Sequence, residues 1–122
     1  MDTKILIIDD DDTILESLKL ILDGEGYSIK ILTNGAEMEH IANEWKPDLV
    51  ILDYLMPGRN GAELTESLKK DKKTKSMPVL MIAASQQYEE PARRAGVDNF
   101  LLKPFDMYEL INEVQLLITD HK

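Results

Sequence analysis

Short apolar runs alternate with stretches of helical period along the chain. The runs are Ile5-Leu6-Ile7-Ile8, residues 27–32, Leu49-Val50-Ile51-Leu52, Val79-Leu80-Met81-Ile82 and Phe100-Leu101-Leu102. Four of them are apolar throughout, the pattern of strands covered on both faces of a parallel sheet. The second differs: Tyr27, Ile29 and Ile31 alternate with Ser28 and Lys30, which predicts one wetter face and a place nearer a sheet edge.

The intervening segments predict five amphipathic helices. Ile14, Leu15, Leu18, Ile21 and Leu22 share one stripe, closed by Gly24 and Gly26. Thr13 and Glu16 have the spacing of a capping box, with Asp12 as the alternative cap. Met38, Ile41, Ala42 and Trp45 mark a second helix, entered through Asn34 and ended by Pro47. Leu64 and Leu68 anchor a third after Gly61. The fourth is short, with Pro91 in its first turn and Gly96 at its end. Leu110, Ile111, Val114, Leu117 and Ile118 form the fifth, with Asp106 and Glu109 at its start. The order is (βα)5 with short connections, and right-handed crossovers put helices on both faces of a parallel sheet.

The 122 residues amount to a single domain spanning 1–122. Lys and Arg total 14 against 23 Asp and Glu, a formal charge of −9. That balance disfavours duplex nucleic acid and anionic membranes, both of which are bound through basic residues. The absence of cysteine excludes disulfides, thiolate zinc sites, thiol nucleophiles and iron–sulfur clusters. No apolar run reaches the ~18 residues of a membrane span, and Met1-Asp2-Thr3-Lys4 leads into a strand without the apolar stretch of a signal peptide. The expected location is cytoplasmic. The lysine-rich segment 69–75 reads as a solvated helix end whose cations favour the negative terminus. His40 and His121 are isolated and point to no metal site.

In an open parallel sheet, ligands bind beyond the carboxyl ends of the strands. After the first strand come Asp9, Asp10, Asp11 and Asp12; after the third, Asp53; after the fourth, Ala83, Ala84 and Ser85; after the fifth, Lys103 and Pro104. At least three carboxylates and one ammonium therefore converge on one rim. Clustered carboxylates repel unless a cation joins them, and a hard divalent ion such as Mg2+ suits an oxygen-only donor set. Carboxylate, Mg2+ and Lys together make a phosphoryl-transfer site, with Asp as nucleophile. Taken singly, an Asp after a strand is commonly a turn residue or a helix cap, and a Lys before Pro is commonly surface. Their coincidence in one topology favours chemistry.

The chain resembles the receiver domains of two-component response regulators, the CheY-like family. The resemblance rests on Ile7-Ile8-Asp9-Asp10, Asp48-Leu49-Val50-Ile51-Leu52-Asp53 with Met56-Pro57-Gly58 and Gly61, Pro78-Val79-Leu80-Met81, Ala95-Gly96 and Lys103-Pro104-Phe105. It implies a flavodoxin-like doubly wound sheet of strand order 2-1-3-4-5. It implies that Asp53 accepts a phosphoryl group from a histidine kinase, and that Lys103 contacts that group. Mg2+ would be held by Asp10, Asp53 and the Leu55 backbone carbonyl, with Asp9 acting through a water. Phe100 stands at the family's switch aromatic. Asp11 and Asp12 carry no family role and are available to cap the first helix.

Two departures from the family pattern bear on switching. The hydroxyl residue usual after the fourth strand is here Ala83, with Ser85 two residues on, and the stretch from Ala83 to Lys103 is about half a helical turn short and contains Pro91. The expected partners are a sensor histidine kinase or phosphotransfer protein and a downstream protein target, without nucleic acid or membrane, for a monomer or weak dimer. The chain would signal without turning over an external substrate. Two alternatives stand beside this reading. One is a receiver-like interaction module with weakened or phosphorylation-independent switching, on account of Ala83. The other is a haloacid-dehalogenase-type phosphatase, in which Asp9 is the nucleophile and Asp11 the acid/base.

Overall fold

The computed structural model describes residues 2–120, so His121 lies outside the described residues. In chain order the elements are β1 (Lys4–Ile8), α1 (Asp12–Gly24), β2 (Ser28–Leu32), α2 (Met38–Trp45), β3 (Leu49–Asp53), α3 (Gly61–Lys70), β4 (Val79–Ala83), α4 (Glu89–Ala95), β5 (Asn99–Leu102) and α5 (Met107–Asp120). One 3-10 turn, Gln86–Tyr88, precedes α4. All neighbouring strands are parallel, in the order β2-β1-β3-β4-β5. This is the expected doubly wound arrangement, and the strand with the alternating pattern lies at an edge.

Alternation along each strand divides the core between two faces. Ile5, Ile7, Leu49, Ile51, Leu80 and Ile82 pack with the buried residues of α1 and α5. Leu6, Ile8, Val50, Leu52, Val79 and Met81 pack with those of α2, α3 and α4. Burial on both faces explains why these strands read as continuous apolar runs. Among the described residues, no helix is long and apolar enough to cross a membrane.

The local differences from expectation lie at helix starts. The cap of α1 is Asp11, one of the two aspartates available for that role, and not Thr13 or Asp12: its carboxylate accepts from the backbone N–H of Thr13 at 2.9 Å and of Ile14 at 3.3 Å. A carboxylate reaches two orphan donors at the positive end of the helix, so it displaces the capping box that the spacing of Thr13 and Glu16 predicts. Asn34 makes a local turn, accepting from the Ala36 N–H at 2.9 Å, and α2 starts only at Met38. A capping box does form at α3, between Asn60 and Glu63. The short fourth helix is as expected, with Pro91 in its first turn and Gly96 at a φ of +106°.

Candidate functional site

Strand ends bring the predicted residues to one rim. Asp9 directly follows β1; its N–H donates to the Leu32 carbonyl at 3.1 Å, prolonging the ladder so that its carboxylate is only 2% exposed. Asp53 is the last residue of β3 and is 9% exposed. Lys103 follows β5, fixed by its own N–H donating to the Ala83 carbonyl at 2.8 Å, and the Lys103–Pro104 peptide is cis. Its ammonium lies 3.1 Å from Asp53 Oδ1 and 3.5 Å from Asp9 Oδ2. Asp10 is exposed and completes a cluster with Asp9 and Asp53, each offering an oxygen within 4.8 Å of the others'.

Gly61 lets α3 begin against the site. A Cβ at that position would stand 2.6 Å from the Asp53 carbonyl oxygen and 2.7 Å from Met81 Sδ, so only glycine permits this approach.

The electrostatics are those of too many anions for one cation. Burial pushes the Asp53 carboxyl up from its ordinary value, and the charges of Asp9 and Asp10 push the same way, against the pull of Lys103. Burial likewise raises Asp9, although the Asp11 N–H and Lys103 oppose it. For Lys103, burial alone would weaken the ammonium, but Asp53 and Asp9 outweigh it and its pKa rises. The lysine therefore stays charged, yet its single charge does not satisfy three carboxylates. Oxygen donors in surplus over protein cations are the donor set that a hard divalent ion fits.

The other rim residues are less tightly engaged. Leu55 is 55% exposed. Ala83 is buried at the end of β4, and Ser85 serves the 3-10 turn, its hydroxyl accepting from the Gln87 N–H at 3.4 Å. Phe100 is half-buried and packs against the α2/α3/α4 side of the core. Asp11, the acid/base of the phosphatase alternative, caps α1 through Oδ1.

The structure also shows two features that sequence reading missed. Tyr54, next to Asp53, stacks on Tyr88 with ring centroids 4.3 Å apart and planes 18° from parallel. Arg59, in the β3–α3 loop, pairs with Glu39 in the first turn of α2. Neither follows a fixed helical or strand spacing, so periodicity carried no signal for them. The Asn60–Glu63 cap was also missed, although an Asn three residues before a Glu at a helix start was a signal that could have found it.

The fold and the rim define a doubly wound α/β domain with a carboxylate–lysine site at its strand ends, and comparison with known proteins makes this specific. Residues 5–115 match the response regulator receiver domain. The chain is 33% identical over 117 residues to the DNA-binding dual master transcriptional regulator RpaA of a Synechocystis strain, covering 94% of this chain and 48% of that protein. It thus spans about half the length of the curated relatives it matches. A putative response regulator from Chloroflexus aurantiacus superposes with a TM-score of 0.94 at 32% identity, over 98% of this chain and 99% of the other. A CheY-like receiver domain protein from Methanospirillum hungatei gives a TM-score of 0.91 at 28% identity, over 99% and 97% of the two chains. The chain belongs to the response regulator receiver domain family of two-component signalling.

Proposed function

We propose that this domain takes a phosphoryl group onto Asp53 from the phosphohistidine of a sensor kinase or phosphotransfer protein. The observation that carries the reading is the meeting of Asp9, Asp10 and Asp53 with Lys103, whose ammonium is 3.1 Å from the Asp53 carboxylate. An Asp53 carboxylate oxygen attacks phosphorus, the phosphorus–nitrogen bond breaks, and the imidazole leaves with its electron pair. The product is an acyl phosphate on Asp53. Lys103 neutralises charge on the transferred oxygens, which is where a phosphoryl-transfer site needs it.

The donor set fits Mg2+, with Asp10, Asp53 and the Leu55 carbonyl as direct ligands and Asp9 acting through a water. Bound there, Mg2+ supplies charge neutralisation for the phosphoryl oxygens. The domain is a phosphoacceptor signalling unit for a downstream protein target, and residues 1–122 constitute one receiver domain. Ala83 supports a modified form of this reading: no hydroxyl at the end of β4 is available to hold the phosphoryl group, so coupling to Phe100 is weakened.

Incubation with acetyl phosphate and Mg2+, followed by mass spectrometry, tests the proposal. Label on Asp53 is expected; label on Asp9 restores the phosphatase reading, and no label leaves an interaction module. Mg2+ titration of Asp10→Asn should show most of the binding lost, and an unchanged isotherm would remove the metal site.

A further inference from the structure

The loop between β3 and α3 carries Leu55, and its attachment to the rest of the protein is uneven. At its start, Tyr54 donates to the Ile82 carbonyl at 3.0 Å and accepts from the Gly61 N–H at 2.8 Å. At its end, the Asn60 N–H donates to Glu63 and its side chain accepts from the Glu63 N–H, both at 2.9 Å. Between them, among the described residues, no backbone hydrogen bond holds residues 55–59. Gly58 bends the segment at a φ of +78°.

One side chain ties this segment across the neighbouring loop. The Arg59 guanidinium donates through Nη2 to the Gly35 carbonyl and to Glu39 Oε1, each at 2.9 Å, and through Nη1 to Glu39 Oε2. The groove it crosses, lined by Asn34, Gly35, Pro57 and Gly58, is otherwise open, with a volume of about 480 Å3. Gly35 packs closely on α3: a Cβ there would lie 2.5 Å from Leu64 Cδ2. Glu39 is itself fixed by the Ser67 hydroxyl at 2.7 Å. A planar fork that meets a carboxylate and a carbonyl together fixes orientation in a way that a flexible ammonium does not.

We propose that Arg59, held by Glu39 and the Gly35 carbonyl, is a positioning residue that sets the β3–α3 loop for divalent-cation binding at the acidic rim. The inference rests on the reading of Asp10, Asp53 and Leu55 as that cation's site. It differs from a purely structural ion pair in a checkable way. Ser67 also binds Glu39 but joins only α2 to α3, whereas Arg59 alone of these groups reaches the loop. Arg59 bonds no ligand of that cation directly, so its effect passes through the loop that carries Leu55 and is smaller than that of a partner bonded to a ligand.

The test titrates Mg2+ by NMR into wild type, Arg59→Met, Arg59→Lys, Ser67→Ala and Asp10→Asn, with the backbone order parameters of residues 55, 56, 58 and 59 followed in each. Arg59→Met should weaken Mg2+ binding by up to about tenfold and lower the loop's order parameters. Arg59→Lys should fall between it and wild type, and it serves as the working variant if Arg59→Met does not fold. Ser67→Ala should bind Mg2+ as wild type does. Unchanged Mg2+ affinity in the Arg59 variants overturns the proposal, as does a loss in Ser67→Ala equal to that in Arg59→Met. If Asp10→Asn binds Mg2+ like wild type, the metal reading fails separately. Loop order then decides the remaining claim: lower order parameters in Arg59→Met uphold the clamp, and unchanged ones remove it.

Discussion

The two halves of the rim are built from different materials. On the β1–β3 side, Asp9 and Asp53 are buried against Lys103, and the loops are tied by a bidentate ion pair. On the β4 side, Ala83 is apolar and buried, Ser85 makes one long hydrogen bond, and the tie to the site is the stack of Tyr54 on Tyr88. Beyond that stack a chain of side-chain contacts runs outward: Glu89 with Arg93, Arg93 Nη2 with Asn99 Oδ1 at 3.1 Å, and Asn99 with Glu113 on α5. The charged half gathers three carboxylates around one ammonium. The other half is arranged to be packed, with no hydroxyl at the end of β4 to register what the first half holds. On the proposed reading of Asp53, reception and transmission are separable, and they should respond differently to substitution.

The largest effect belongs to the charged half. Asp53→Asn should abolish labelling by acetyl phosphate altogether while raising the metal-free melting temperature at neutral pH. The rise follows from the crowding of anions. Burial and the neighbouring carboxylates disfavour the ionised Asp53 in the fold, and an uncharged amide of the same shape removes that penalty while still accepting from Lys103. Calorimetry without divalent ions checks the sign; a lower melting temperature would mean that the Lys103 pair outweighs the repulsion.

Next comes the missing hydroxyl. A hydrogen bond to a charged group contributes roughly 1.5–3 kcal/mol, or one to two decades in a two-state ratio. Ala83→Thr should therefore raise phosphorylation-dependent NMR shifts at Phe100, Asn99 and Glu113 at matched phosphorylation, with threonine also suiting a strand end. Equal shifts in the two proteins would mean that transmission works without that contact.

How much of this was legible beforehand follows the same division. The strand runs and helical stripes specify the sheet, because burial on two faces leaves an unmistakable apolar record in Leu49-Val50-Ile51-Leu52 and Val79-Leu80-Met81-Ile82. Asp9, Asp53 and Lys103 were legible as well, since each directly follows or ends a strand and topology alone carries them to one rim. Arg59, Glu39, Tyr54 and Tyr88 were not. They meet across loops, where contact depends on how two irregular segments approach one another and no period links the partners. The Asp11 cap was missed in part for a related reason: four successive aspartates offer several caps, and only the angle at which the chain leaves β1 selects among them.

A smaller effect tests the packed half. Tyr54 and Tyr88 are near-parallel at a separation suited to offset stacking, which adds about 0.5–1.5 kcal/mol beyond area burial. Tyr88→Leu should lower unfolding free energy by about that amount, with little dependence on salt, and leave Asp53 labelling intact. A loss of labelling in this variant would show that the two halves are not separable.

The smallest effect belongs to the Arg59–Glu39 pair and has a definite pH signature. The hydrogen bonds from Arg59 come first among the causes that hold the Glu39 carboxyl at about 2, against an ordinary 4.5. A lowered carboxyl contributes stability that is fully present above the unfolded value and is lost as pH falls through the folded one. The window of loss is therefore about pH 4.5 down to about 2. Both side chains are roughly two-fifths exposed, so solvent screening keeps the contribution within the ~0–1 kcal/mol of surface pairs. Denaturant unfolding of wild type and Glu39→Gln should differ by that small margin near pH 6 and converge as pH falls toward 2, and added salt should narrow the gap at pH 6. Tyr88→Leu should show neither response, because stacking carries no titrating charge. A gap between wild type and Glu39→Gln that persists unchanged at pH 2 would mean that Glu39 acts through packing rather than through its charge.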